Sequence, residues 1–177
     1  MPISQINTAS LASGTPARAN LPTGCVLQVV STTKTDSFTG STLGAWTDIT
    51  GMSVSITPTT ANSKVLVQVF MQGGSYDGIE KASWRLVRNS TPINVGDAAG
   101  SRPQATGDQG GPNQYWPPYT GTGYLDSPNT TSAVTYKIQY YCSGSAQFWV
   151  NRCAADRDTS NYDARTTSTI MVMEIAG

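Results

Sequence analysis

Ile56-Thr57-Pro58-Thr59-Thr60-Ala61-Asn62-Ser63-Lys64-Val65-Leu66-Val67-Gln68-Val69-Phe70-Met71-Gln72-Gly73 is the stretch that decides the fold. Thr57 to Ser63 is a polar turn in which Pro58 fixes one φ angle. It leads into Val65, Leu66, Val67, Val69, Phe70 and Met71, a nearly unbroken apolar run of strand length stopped by Gly73-Gly74. A run of that length, rich in β-branched and aromatic residues and bounded by turn signals, reads as a strand buried on one or both faces. Other strands must pair with it or pack over it.

Working outward, short strands recur on both sides. Before the run lie Cys25–Val30, then Trp46–Ile49 and Met52–Ile56, two alternating segments joined at Thr50-Gly51, with a polar loop over 32–41. After it come Ala82–Arg88, a turn at Asn89–Pro92 and a short return strand Ile93–Gly96, which together form a hairpin. Gly123–Asp126, Ala133–Cys142, Gln147–Asn151 and Ser168–Ile175 complete the series. No segment carries a helical period. About nine to ten short strands separated by turn signals imply an all-β sandwich or barrel. The expected layout is a jelly-roll β-sandwich with its first and last strands adjacent.

Two segments stand outside this pattern. Residues 1–24 have only Ile3, Ile6 and Leu11 as sparse apolar points, and Pro16 and Pro22 break any regular element. This extended N-terminal arm cannot bury enough surface to fold alone. It either packs on its own domain, residues 25–177, or docks on a partner through those three residues. The loop over 97–122, rich in Gly and Pro, is long for a compact domain, and such loops usually carry function or form interfaces. It holds Tyr115, Trp116 and Tyr119, rigid aromatics suited to a subunit interface or a receptor contact. The alternative is that they fold back onto the sandwich. Trp46, Trp84 and Trp149 are placed in the core.

Composition excludes several functions. Lys+Arg and Asp+Glu balance at 11 each, and charged residues make up only 12%. A neutral chain without a basic run has no electrostatic means of gripping nucleic acid or an anionic membrane. No apolar run approaches the roughly 20 residues of a membrane helix. With His 0, the usual Ser-His-Asp and Cys-His constellations cannot form. No catalytic residues, cofactor or metal are expected. The three cysteines, Cys25, Cys142 and Cys153, do not make a disulfide framework. They read as small buried hydrophobes, with a Cys142–Cys153 bridge as the alternative. Asp156 and Asp158 open a segment, 156–163, with oxygen ligands at alternate positions as in a calcium loop, but Gly at the sixth place and Glu at the twelfth are missing. A salt-bridged loop with Arg157 and Arg165 is the plainer reading.

Taken in order, Gly24–Val30 after a polar arm, Ser55-Ile56-Thr57-Pro58 with Ser63–Val67, Trp84, Leu86 and Arg88, Leu125–Pro128 with Thr135, Tyr136, Gln139 and Tyr140, and finally Ser168-Thr169-Ile170 with Glu174-Ile175 resemble short virion proteins of tailed phages of the cyanobacterial and marine type. The match spans roughly residues 24–176. The resemblance implies a jelly roll similar to the head of tumour necrosis factor and C1q, commonly a homotrimer. It implies a non-enzymatic structural protein of the virion, made in the host cytoplasm: a capsid decoration, head-fibre or fibre component attached through its arm to a major capsid, fibre or tail protein. The alternative is a tail-fibre knob that recognises a host surface glycan through Tyr115, Trp116 and Tyr119.

Overall fold

The computed structural model describes residues 21–75, 82–108 and 118–177. Ile3, Ile6, Leu11, Tyr115 and Trp116 lie outside the described residues. The described chain is all-β, with eleven strands: β1 (Val26–Lys34), β2 (Phe38–Gly40), β3 (Thr47–Ile56), β4 (Lys64–Gly74), β5 (Ala82–Arg88), β6 (Thr91–Ile93), β7 (Gly107–Asp108), β8 (Tyr119–Asp126), β9 (Val134–Cys142), β10 (Phe148–Val150) and β11 (Ser168–Ile175).

They form two antiparallel sheets. In the first, β1 pairs with β11, β11 with β4, and β4 with both β8 and β10; β2 extends the sheet beyond β10. In the second, the order is β3-β9-β5-β6, with β7 also on β5. The chain passes back and forth between the sheets, so strands far apart in sequence become neighbours, β1 and β11 above all. This is the jelly-roll sandwich expected from the strand pattern, with first and last strands adjacent.

Alternation explains the core. In β4, Val65, Val67, Val69 and Met71 face inward; in β9, Val134, Tyr136, Ile138, Tyr140 and Cys142 do so from the opposite sheet. Ile170 and Val172 of β11, Trp84 and Leu86 of β5 and Met52, Val54 and Ile56 of β3 fill the space between them. Polar ties close the edges. Asp126, buried at the end of β8, accepts from Arg88 Nη1 at 2.9 and 3.0 Å and from the Tyr136 hydroxyl at 2.7 Å, so the first sheet is held to two strands of the second. Burial and that carboxylate both push the Tyr136 hydroxyl well above its usual range. Asn151, fully buried, donates to the carbonyls of Lys34 and Asp36 at 2.9 Å each and accepts from Ser168 Oγ at 2.6 Å.

The structure corrects several readings of the sequence. Residues 46–49 and 52–56 belong to one strand rather than two. Between Asp48 and Ser53 the pairing of β3 with β9 jumps register, and Gly51 takes φ 84, so the chain bulges and returns to the same partner. The bulge re-aims alternation: Ile49 and Met52 both point inward with Thr50-Gly51 looped out between them. The polar segment 32–41 is largely strand, because β1 runs on to Lys34 and β2 pairs with β10. The return strand of the hairpin is Thr91–Ile93, not Ile93–Gly96, and its Pro92 is tolerated because β6 ends the sheet order. The loop ends at Tyr119, where β8 begins, and also contributes β7. Of the three tryptophans assigned to the core, Trp84 is there, whereas Trp46 and Trp149 lie on outward positions and are half-buried. Cys25, Cys142 and Cys153 are all free thiols, and burial pushes Cys142 up to about 11.

Gly40 shows how tightly β2 lies against the core. A Cβ there would collide with the Tyr140 ring, which is fixed by stacking on Phe148 at 5.9 Å and by an edge contact with Phe38 at 5.6 Å. Gly40→Ala is expected to cost about 1–3 kcal/mol through overpacking. A chemical denaturation midpoint equal to the parent's would refute this account of β2.

Candidate functional site

One surface departs from the usual polar exterior of a sandwich. On the outward side of the first sheet, strand register aligns Val29, Met173, Leu66 and Leu125 as one rung across β1, β11, β4 and β8. The next rung is Ser31, Met171, Gln68 and Gly123; the one after is Thr33, Thr169, Phe70 and Gly121. Val29 is 53% exposed, Leu125 54% and Phe70 43%, while Leu66, Met171 and Met173 are half-buried. Across these three rungs there is no ionisable residue. Lys64, one rung beyond Leu66, donates to Ser127 Oγ at 2.7 Å.

The surface arises because β4 and β11 are apolar at both parities. An ordinary half-exposed strand alternates apolar with polar. Here Leu66 and Phe70 of β4, and Met171, Met173 and Ile175 of β11, take positions where such a strand would carry Lys, Thr or Glu. Four strands about 4.8 Å apart and three same-face rungs about 6.8 Å apart give a face of about 19 by 20 Å, a projected area of about 390 Å². On it Val29, Met173, Leu66, Leu125, Met171 and Phe70 are apolar, and the other six positions are Ser, Thr, Gln or Gly. The largest apolar patch of a typical monomer is of this order, about 300–600 Å², and is often functional.

The second sheet provides the contrast. Its outward positions include Asp48, Ser53, Ser55, Lys137, Gln139 and Arg85, a typical solvated face.

Tyr119, the described member of the aromatic trio picked out from the sequence, opens β8 opposite Gln72, 61% exposed at the margin of the apolar face. Tyr115 and Trp116 lie outside the described residues. Val29, Leu125, Met171 and Met173 went unnoticed in the sequence. The available signal was the near-continuous apolar run in 65–71 and 170–173, which a strand solvated on one side does not need.

Asp156 and Asp163 of the 152–165 loop are engaged by arginines. Asp156 bridges Arg152 at 3.2 Å and also Arg165, while Arg157 Nε donates to Asp163 at 2.7 Å. The Arg157 hydrogen bond holds the Asp163 carboxyl well below the usual range. Among the described residues no group of three or more Cys, Asp or Glu is arranged to hold a metal ion. No family model matches the sequence, and no curated protein is significantly similar to it.

Proposed function

We propose that this chain is a non-enzymatic structural protein of a tailed-phage virion, a capsid decoration, head-fibre or fibre component that assembles as a homotrimer through the outward face of β1, β11, β4 and β8. The observation that carries the assembly reading is the uncharged apolar face centred on Val29, Leu66, Phe70, Leu125 and Met173. At about 390 Å² the face supplies about half of the about 800 Å² per partner of a standard protein contact, and a trimer draws the rest from the surface around it. The virion assignment is supported by the likeness of the sequence motifs to small phage virion proteins. Attachment to a capsid, fibre or tail protein falls to the arm.

The test places charge on the face without touching the core. The parent protein is expected to run in light scattering at three times the 18.7 kDa of the chain. Phe70→Glu combined with Leu125→Glu is expected to yield a monomer with an unchanged circular dichroism spectrum, since substitutions at exposed sites rarely shift stability by more than about 0.5 kcal/mol. A parent protein that stays monomeric at high concentration removes the assembly reading. A trimer that fails to bind phage particles stripped of their decoration and fibre proteins removes the virion reading.

A further inference from the structure

The outward face of the second sheet holds an ordered cluster that assembly through the first sheet leaves unused. Asp48, Gln139 and Arg85 are register partners across β3, β9 and β5. Arg85 donates from Nε and Nη2 to Gln139 Oε1 at 2.9 and 2.7 Å. Gln139 Nε2 donates to Asp48 Oδ1 at 2.7 Å, and Lys137 Nζ to Asp48 Oδ2 at 2.7 Å. Beside this line, the Arg85 guanidinium lies over the Trp46 ring, 4.3 Å from its centroid, and Trp46 packs against Tyr141 with centroids 5.4 Å apart. Both rings are half-buried, so part of each remains open.

We propose that this surface, Trp46 and Tyr141 with Arg85, Gln139, Asp48 and Lys137, binds a neutral oligosaccharide. Sugars present apolar C–H faces, which settle on aromatic rings, and rims of hydroxyls, which need paired donors and acceptors. Both requirements are met. A guanidinium has five N–H donors, an ammonium three and an amide two, so Arg85, Lys137 and Gln139 keep donors beyond those used within the cluster. Their mutual hydrogen bonds hold them in place before any ligand arrives, which lowers the ordering cost of binding. Size argues against a protein partner. Three strands about 4.8 Å apart and three same-face rungs about 6.8 Å apart cover under about 300 Å², well short of the about 800 Å² per partner of a stable protein contact. That footprint suits two or three sugar rings. Lys137 is paired with Asp48, whereas Arg85 is bonded to the neutral Gln139, so the salt arm of the test below separates a neutral ligand from an acidic one.

The probe is a printed array of neutral bacterial oligosaccharides, challenged with the full chain and with variants. The parent is expected to be retained on at least one hexose-containing oligosaccharide. Trp46→Ala and Gln139→Ala are each expected to weaken retention at least about tenfold, the size of effect that losing one ring or one paired amide has on a small site. Thermal unfolding of each variant confirms that it folds, and Thr135→Ala, further along β9, serves as a control that keeps binding. Three results overturn the proposal: no retention of the parent, retention unchanged in folded Trp46→Ala and Gln139→Ala, or retention that vanishes at about 0.5 M salt as simple charge attraction would. Because the Phe70→Glu/Leu125→Glu protein keeps this face, its retention separates sugar binding from assembly.

Discussion

Glu174→Ala is expected to destabilise the protein by about 3–5 kcal/mol, because it strips an acceptor from several buried donors at once. Glu174 is fully buried near the end of β11. Its Oε1 accepts from the Thr59 amide at 2.6 Å, the Thr59 hydroxyl at 2.7 Å and the Ser63 hydroxyl at 2.7 Å, and Oε2 accepts from Gln28 Nε2 at 2.6 Å. One carboxylate thus fastens the turn between β3 and β4 to the first and last strands. Glu174→Gln keeps the shape but turns an amide donor toward donors, and is expected to cost about 2 kcal/mol. Burial pushes the carboxyl up, yet the hydrogen bonds from Thr59, Ser63 and Gln28 outweigh it and hold the folded value below the ordinary 4.5. With the folded value depressed, the contribution is fully present above the unfolded value and is lost as pH falls through the folded one. The stability gap between parent and Glu174→Gln, measured by urea titration, should therefore be constant near neutral pH and shrink on acidification below about 4.5. A gap that widens in acid would contradict an ionised Glu174.

Trp84→Ala is expected to cost about 3–5 kcal/mol, the range for deleting a large buried aromatic. Trp84 sits on β5 at 1% exposure, and its indole Nε1 donates to Thr120 Oγ1 of β8 at 3.1 Å, which reaches from one sheet to the other. Removing it opens a cavity and leaves a buried hydroxyl without its donor. For a chain of this size the melting temperature should fall by about 10 °C or more. Trp84→Phe refills most of the volume and should recover all but about 1–2 kcal/mol, the share of the lost hydrogen bond. Equal losses for Ala and Phe would mean that packing around the ring contributes little.

The strands that were easy to read are those whose side chains alternate without interruption. The period of Val134 to Cys142 survives into β9 unchanged because each residue has one face to satisfy. The 46–56 segment misled because a bulge at Thr50-Gly51 looks locally like a turn. Only the return of Ser53 to Lys137, on the strand that already pairs with Asp48, distinguishes a bulge from a hairpin. Phe38–Gly40 was missed for a related reason. It carries little apolar signal and is strand because β10 lies beside it. Trp46 reads as core from its place on a strand, but it lies beside Tyr141 on the outer face, where Arg85 covers part of the ring.

By itself the sequence determined the class of fold, the polar turn before β4 and the alternation of β9. Each follows from local alternation and turn chemistry, which a short window contains; the adjacency of first and last strands is an expectation of the jelly-roll layout that the pairing of β1 with β11 bears out. Tertiary structure alone decided the two surfaces on which the proposed assembly and sugar binding rest. Leu66 and Phe70 look like extra core until β1, β11 and β8 are aligned beside them and, among the described residues, no layer covers their outward side. Asp48, Gln139 and Arg85 are unremarkable polar residues until three strands bring them onto one rung. Register couples residues up to 149 positions apart, as between Val26 and Ile175. A side chain's environment is then set by partners that its own stretch of chain does not name.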